Sequence, residues 1–399
     1  GTGYLPTLPP YDDGNFVNKS WPDGYKDIDP YESYRSLFNG NVNASDNPEL
    51  IFTRGQNQST EGINVMVRHQ LPRAANGWNT HGLTQKQCDA YYMKDGKNCP
   101  GKDSEYIDYP AYAKRIDPNP RAEGFVTDEN KDQYPELGNN RVGVSMQYVG
   151  REPRFYASVA YNGSTWYLLN EPNDANKDKQ IFYYRGGGNG YTNTMFWLRT
   201  GIGVMKFVHP DDTNRDEKEE YIRKKAEPAI RYAEILLIYA EALCQSSRGS
   251  MDKAIAQVDI VRARVGMKGL AECNPDKNLQ SNKDAFIEEL LRERACELGM
   301  EDARFFDLIR YKRADIFEKQ LHGLFIYRLD DNGVRRDLPW RGNDEGKMAY
   351  PTHFEYEKFE LNNPTRYWWT NGFDPKWYLS PFPSTEVNKG YGLVQNPGW

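Results

Sequence analysis

The segment from Arg231 to Arg310 constrains this chain more than any other, because its apolar residues recur at helical spacing in three consecutive runs. In the first, Ile230, Ala233, Leu237, Ala240 and Cys244 alternate small and large residues along one stripe, which lets a neighbouring backbone approach closely. The second starts at Asp252, a good N-cap, and passes through Ile255, Val258, Val261 and Val265 to Gly266, which can supply a left-handed stop. The two together predict an antiparallel helical hairpin. A third helix is expected from Asn282 to Tyr311, capped by Ser281 or Asn282, with Phe286, Leu290, Leu291, Leu298, Phe305 and Leu308 on its apolar side.

That third run is dense in charge. Glu293, Glu297 and Asp307 would suit acid/base work if they lined a cleft, because paired carboxylates can split their pKa values. Their interleaving with Arg292, Arg294, Arg304 and Arg310 favours ion pairs instead.

Three stretches of this region, RYAEILLIYAEAL, the helix ending VRARVG, and LLRERACELGMEDARFFDLIRY, resemble the C-terminal signature of the SusD/RagB family of Bacteroidetes outer-membrane nutrient-binding lipoproteins. REPRFYASVAYNGSTWY (151–167), CDAYYMKDGK (88–97) and the ending LSPFPSTEVNKGYGLVQNPGW are similar to family segments in the same order. The resemblance implies a mainly α fold with long loops and short β-strands, built on a tetratricopeptide-type helical scaffold. It also implies a surface glycan-binding protein that captures oligo- or polysaccharide and delivers it to a partner TonB-dependent transporter, with no catalytic residues. A peptide-binding protein of the RagB type is the alternative, and a secreted glycosidase using Glu293 or Asp307 as acid is a third reading. The location implied is the extracellular face of the bacterial outer membrane, reached through a lipid anchor upstream of this chain.

Family members carry a secretion signal, a lipid-modified cysteine and further helix pairs before the segments matched here. The opening GTGYLPTLPPYDDGNF has no such pattern, so a mature or clipped fragment is expected, with faces of the helices between Glu227 and Arg264 left for another segment or chain to cover.

Composition narrows the partners. A net charge of −6 with basic and acidic residues interspersed leaves no basic stripe, which argues against nucleic acid. No apolar run approaches the length of a membrane span. Aromatic residues make up 14% of a polar chain, with 28 Tyr and 9 Trp, a composition suited to stacking on sugars or peptides. His69, His81, His209, His322 and His353 are scattered, so neither a metal nor a cofactor is expected. Cys244 and Cys296 fall in apolar helical patterns, Cys273 in a loop, and Cys88 and Cys99 are spaced for a local disulfide or two free thiols.

Four regions are expected: an extended connector over 1–59, a loop and short-strand insertion over 60–226 with ligand-binding loops, the helical region over 227–322, and an irregular region over 323–399 that packs back on the helices. A short helix is expected at Pro30 to Phe38 and a strand at Glu49 to Gly55. Further strands are expected at Arg141 to Val149 and Phe155 to Tyr161, separated by turns such as Asn162-Gly163 and Asn189-Gly190. The Gly-rich RGGGNGYTN (185–193) lacks the Lys-Ser/Thr of a phosphate loop and is expected to be a mobile loop. NEPNDANKD (170–178) lacks the glycine and distal glutamate of a calcium loop, and Ser158, Ser164 and Ser384 lack a nucleophile elbow.

For ligand binding the first candidate is Trp78, which lies in RAANGWNTHG with Asn76, Asn79 and His81. An exposed indole there could stack on a pyranose while amides reach its hydroxyls. Trp340, and one of the adjacent pair Trp368 and Trp369, are further candidates, with Trp368 chosen of the two. Trp166 is expected to be structural, while Tyr109, Tyr112 and Trp197 stay open.

Overall fold

The structure, a computed structural model, describes residues 29–54, 62–99, 124–170, 178–191, 197–214, 221–329, 332–335, 353–361 and 368–399. In its first half short elements dominate: α1 (Pro30–Arg35), β1 (Leu50–Arg54), α2 (Ile63–Gln70), α3 (Gln85–Ala90), α4 (Pro153–Ser158), β2 (Val159–Ala160), β3 (Ser164–Tyr167), β4 (Asp178–Ile181), β5 (Gly203–Val204) and β6 (Glu227–Arg231). The helical part follows with α5 (Tyr232–Gln245), α6 (Met251–Arg264), α7 (Leu270–Cys273), α8 (Lys283–Glu297), α9 (Ala303–Arg310) and α10 (Ala314–Phe317). The chain then forms β7 (His322–Arg328), β8 (Phe354–Glu360), α11 (Trp368–Asn371) and α12 (Ser384–Val387). Among the described residues strands pair only in antiparallel twos, β1 with β6, β2 with β5, β3 with β4 and β7 with β8, so the architecture is mainly helical.

The expected hairpin is α5 and α6. Ala233, Leu237, Ala240 and Cys244 of α5 share one buried cluster with Ala254, Ile255, Val258 and Val261 of α6 and with Phe286, Leu290 and Leu291 of α8. Burying each of the larger side chains contributes about 1.5–3 kcal/mol. The stripe starts at Ala233, because Ile230 belongs to β6, pairs with Phe52 and is exposed. Ser250, not Asp252, caps α6 by accepting the Lys253 N–H, and Gly266 ends the turn at φ 72°. On the outer side of α5, Tyr232, Ile235, Ile238 and Tyr239 are exposed.

The third run is two helices. Between α8 and α9 the chain leaves helical geometry at Leu298 and passes through left-handed Met300 and Asp302, each at φ 63°. The bend has a cause in charge. It turns the Glu301 carboxylate towards Arg231 Nε (2.7 Å) and Lys206 Nζ (2.6 Å), and it frees the carbonyls of Glu297 and Gly299 to accept from Arg231 and Lys206. Phe305 leaves the expected buried face in consequence and is 43% exposed.

A second cluster, largely aromatic, is built around Phe155, with Tyr148 and Tyr161 stacked beside it. Tyr34 and Phe38 from the segment expected as a connector are part of it. Of the two strands expected here, Arg141 to Val149 does not form, and Phe155 to Tyr161 is a strand only at its end, as β2 (Val159–Ala160). Residues 146–148 make a 3-10 turn and 153–158 make α4, because Pro153 at the first helical position has its φ preset and no β-branched residue follows until Val159. Trp166 is buried, as its segment suggests.

Buried charge links the two clusters. Arg154, fully enclosed, binds Glu152 (2.6 Å), Glu293 (2.6 Å) and Glu297 (3.0 Å). Glu297 also takes Arg231 (2.7 Å) and Arg264, Glu293 takes Arg262 (3.0 Å), and Glu49 bridges Arg231 and Arg264 at 2.6 Å each. Asp307 pairs with Arg294 (2.7 Å) and Arg310 (2.9 Å). Glu293, Glu297 and Asp307 are buried against guanidinium groups, whereas acid/base work needs a carboxylate within reach of a substrate. Cys88 and Cys99 are separate buried thiols, Cys99 lying 3.5 Å from the Asp89 carbonyl oxygen, so the local disulfide is absent.

Candidate ligand-binding site

An aromatic cleft of about 570 Å³ opens between α9 and the C-terminal segment. Its volume falls in the range of about 300–1,000 Å³ common for small-molecule sites. Phe305, Phe306 and Ile309 supply one wall from α9, and Trp368, Trp377 and Trp399 supply much of the other. The second wall is held by ring packing. Phe317 stacks on Phe373 at 4.8 Å and 9°, Trp368 meets both edge-on at 4.8 and 5.1 Å, and Trp377 lies 6.2 Å from Trp368.

Hydrogen bonds pin this segment to the helices. The Tyr378 hydroxyl accepts the Ala314 N–H at 2.9 Å, and Glu318 Oε1 accepts the Phe373 N–H at 2.8 Å. The chain end folds back on itself: Trp399 Nε1 donates to the Lys376 and Leu379 carbonyls at 3.0 Å each, and Gln395 exchanges two bonds with the backbone of Phe382. With its N–H used internally, the half-exposed Trp399 ring can offer only its apolar surface. Asn371 and Ser380 supply polar groups to the same cleft. Flat apolar rings beside amide and hydroxyl groups suit a ligand with an apolar C–H face and hydroxyl edges.

The Trp78 corner is built differently. After α2 the chain turns through left-handed Asn76 (φ 54°) and Gly77, where a Cβ would lie 2.0 Å from the Leu71 carbonyl oxygen. Trp78, Thr80 and His81 then donate their N–H groups to the last carbonyls of α2, to Arg68 at 2.7 Å and to His69 at 2.9 and 3.1 Å. Trp78 is half-buried, with His69 edge-on at 4.7 Å and the Arg68 guanidinium 5.8 Å from its centroid. His81 stacks on His69 at 4.7 Å and 11°. Asn76 is exposed, whereas Asn79 is buried and donates to the Asn189 carbonyl at 2.7 Å.

Asn189 belongs to the Gly-rich segment, whose described part is a hydrogen-bonded turn. Its side chain accepts the Arg73 N–H at 2.9 Å, and Gly190 sits where a Cβ would lie 2.0 Å from the Tyr184 carbonyl oxygen. Trp368 lines the aromatic cleft, and neither Trp78 nor its neighbours His69, His81 and Asn79 are among the cleft's lining residues. Trp197 is half-buried against Tyr191. Trp340, Tyr109, Tyr112, the Trp369 side chain and residues 171–177 of the calcium candidate lie outside the described residues. Among the described residues no group of three or more His, Cys, Asp or Glu could hold a metal ion.

The paired imidazoles make a prediction. Burial, and then the neighbouring His69, push His81 down to about 4, while burial also lowers His69. An NMR titration should show His81 neutral from pH 8 to about 5.5 and protonating near 4. Because the unfolded value lies near 6.5, this group costs stability as pH falls between 6.5 and 4, and nothing above that window. A His81 midpoint above 6 would contradict the stacked geometry.

Trp377, Trp399 and Phe306 line the cleft without having been singled out by sequence. The aromatic density of 368–399 was the available signal, but nothing local shows that α9 turns two phenylalanines towards it.

The family model for the SusD family matches residues 36–399. No curated protein sequence matches this chain. Among solved structures, the SusD-like protein BF3747 from Bacteroides fragilis superposes with a TM-score of 0.61 at 24% identity, covering 92% of this chain and 57% of that one. The protein BT4246 gives 0.62 at 20% identity, covering 99% of this chain and 57% of its own. These likenesses show a shared fold, and this chain spans 57% of the length of each of these relatives.

Proposed function

The chain belongs to the SusD family, and from that premise we propose that it is part of a surface glycan-binding protein that captures oligo- or polysaccharide and hands it to a TonB-dependent transporter. The observation that carries this reading is the cleft of about 570 Å³ walled by Trp368, Trp377, Trp399, Phe305 and Phe306. Sugar rings dock there by stacking, and Asn371 and Ser380 bond their hydroxyls. No bond is made or broken. The acidic side chains suited by sequence to acid/base work, Glu293, Glu297 and Asp307, are paired with arginines. Among the described residues no helix is long and apolar enough to cross a membrane, and attachment through an upstream lipid on the outer face of the outer membrane accords with that.

Native affinity electrophoresis through gels containing plant, host and microbial polysaccharides tests the reading. Retardation in one gel, relieved by the matching free oligosaccharide, is the expected result. Unretarded migration in every gel, together with no calorimetric heat from the derived oligosaccharides, would overturn it, and peptide ligands would then be tried.

A further inference from the structure

A second cavity, sharing no lining residue with the aromatic cleft, has a volume of about 50 Å³ and lies where α1, α4 and β3 meet. That is room for about three water-sized groups. Its walls include Tyr31, Tyr156, Tyr161 and Tyr167, with the carboxylate of Glu136 and the hydroxyl of Ser164. Among the described residues that line it there is no lysine, arginine or histidine.

Two of its oxygens have no hydrogen-bond partner. Among the described residues Ser164, 2% exposed, has its Oγ unbonded, and the buried Tyr167 hydroxyl, beside the Asn139 backbone, also has no bonded partner. Buried hydroxyls are rarely left so. Glu136 uses Oε1 to accept the Gly150 N–H at 3.1 Å, which leaves Oε2 for another donor. Gly138, at φ 90°, keeps the wall open: a Cβ there would lie 2.9 Å from the Tyr167 hydroxyl. The Tyr156 hydroxyl is already spent, accepting from Arg151 N–H at 3.1 Å and donating to the Tyr148 carbonyl at 2.7 Å, so this residue contributes its ring.

Three open acceptors inside a tyrosine cage, one of them anionic, match a group with three donors and a positive charge. We propose that this cavity binds the primary ammonium group of a small organic amine, with Glu136, Ser164 and Tyr167 accepting its three N–H bonds and the tyrosine rings surrounding the charge. Calcium would want six to eight oxygen ligands, more than this wall offers. The phenols stay neutral, as the cage requires. Burial pushes Tyr31 up to about 12, and burial followed by the nearby Tyr156 and Glu136 pushes Tyr161 well up.

The proposal stands apart from the glycan reading and is tested apart from it, by NMR titration of the whole chain with methylammonium, glucosamine, N-acetylglucosamine and potassium at fixed ionic strength. Saturable shifts at the resonances of 136–138 and 164–167 with methylammonium are expected. Glu136→Gln, which keeps an acceptor for Gly150, should weaken them at least about ten-fold, and Tyr167→Phe and Ser164→Ala by less. Binding of glucosamine but not N-acetylglucosamine would support the site and mark amino sugars as its source. Binding of methylammonium alone would support it for side-chain amines. Equal displacement by potassium, unchanged affinity in Glu136→Gln, or no saturable shift would overturn it.

Discussion

Arg154→Met lowers the free energy of unfolding by about 3–5 kcal/mol, measured by urea denaturation at pH 7. The side chain is fully buried and its guanidinium touches three carboxylates, Glu152, Glu293 and Glu297, none of which reaches solvent. Methionine fills most of the volume but carries no charge. Two of the acids keep other partners, Arg262 for Glu293, and Arg231 and Arg264 for Glu297, whereas among the described residues Glu152 keeps only the Tyr92 N–H at 3.0 Å. The cost therefore comes from an uncompensated buried charge more than from the lost attraction.

The pH dependence gives this prediction its second readout. In the wild type, burial alone would raise Glu297, yet Arg264, Arg231 and Arg154 hold it well below the ordinary 4.5. A depressed carboxylate contributes stability that is fully present above 4.5 and is lost as pH falls through its folded value. Glu152 has the opposite sign, raised by burial against Arg154, and softens that loss. Without Arg154 the remaining acids shift upward, so the variant should recover part of its deficit relative to the wild type as pH drops from 7 towards 5. An unfolding free energy within about 1 kcal/mol of wild type at pH 7 would mean that the network does not organise the core.

Much of this was legible in the sequence where periodicity alone decides. Ala233, Leu237, Ala240 and Cys244 at helical spacing predict a close hairpin, and α5 with α6 is that hairpin. The break between α8 and α9 was not legible, because the apolar pattern continues from Leu298 to Phe305. What stops the helix is the demand of Arg231 and Lys206, distant in sequence, for the carbonyls and carboxylate at 297–301. Propensity failed at 153–158 for a related reason: Phe and Tyr favour strands, but Pro153 sets a helical start and Arg154 must reach α8. For the site, composition marked aromatic, Asn- and Gly-rich loops and so put forward Trp78 and Trp368, of which Trp368 lines the cleft. It could not show that Asn79 spends its amide on Asn189, or that three tryptophans separated along the last segment come together against α9.

Trp368→Ala should weaken glycan binding by about ten- to a hundred-fold, the scale on which loss of a central tryptophan is felt in a binding site. Trp368 contacts Phe317, Phe373 and Trp377 and also faces the cleft, so its removal takes away a stacking surface and loosens the wall behind it. Those two effects need separating. Phe306, 64% exposed on the opposite wall, supports no core packing of that kind, and Phe306→Ala should lose several-fold in affinity with unchanged denaturation. Trp78→Ala is the counter-test, since that indole lies edge-on to His69 against α2, away from the cleft. Calorimetry with the oligosaccharide identified by electrophoresis distinguishes them. Loss in Trp368→Ala and Phe306→Ala with Trp78→Ala intact assigns the ligand to the cleft. Loss in Trp78→Ala alone moves it to the corner after α2, where Asn76 is the exposed amide beside the indole, and leaves the cleft to be covered by polypeptide.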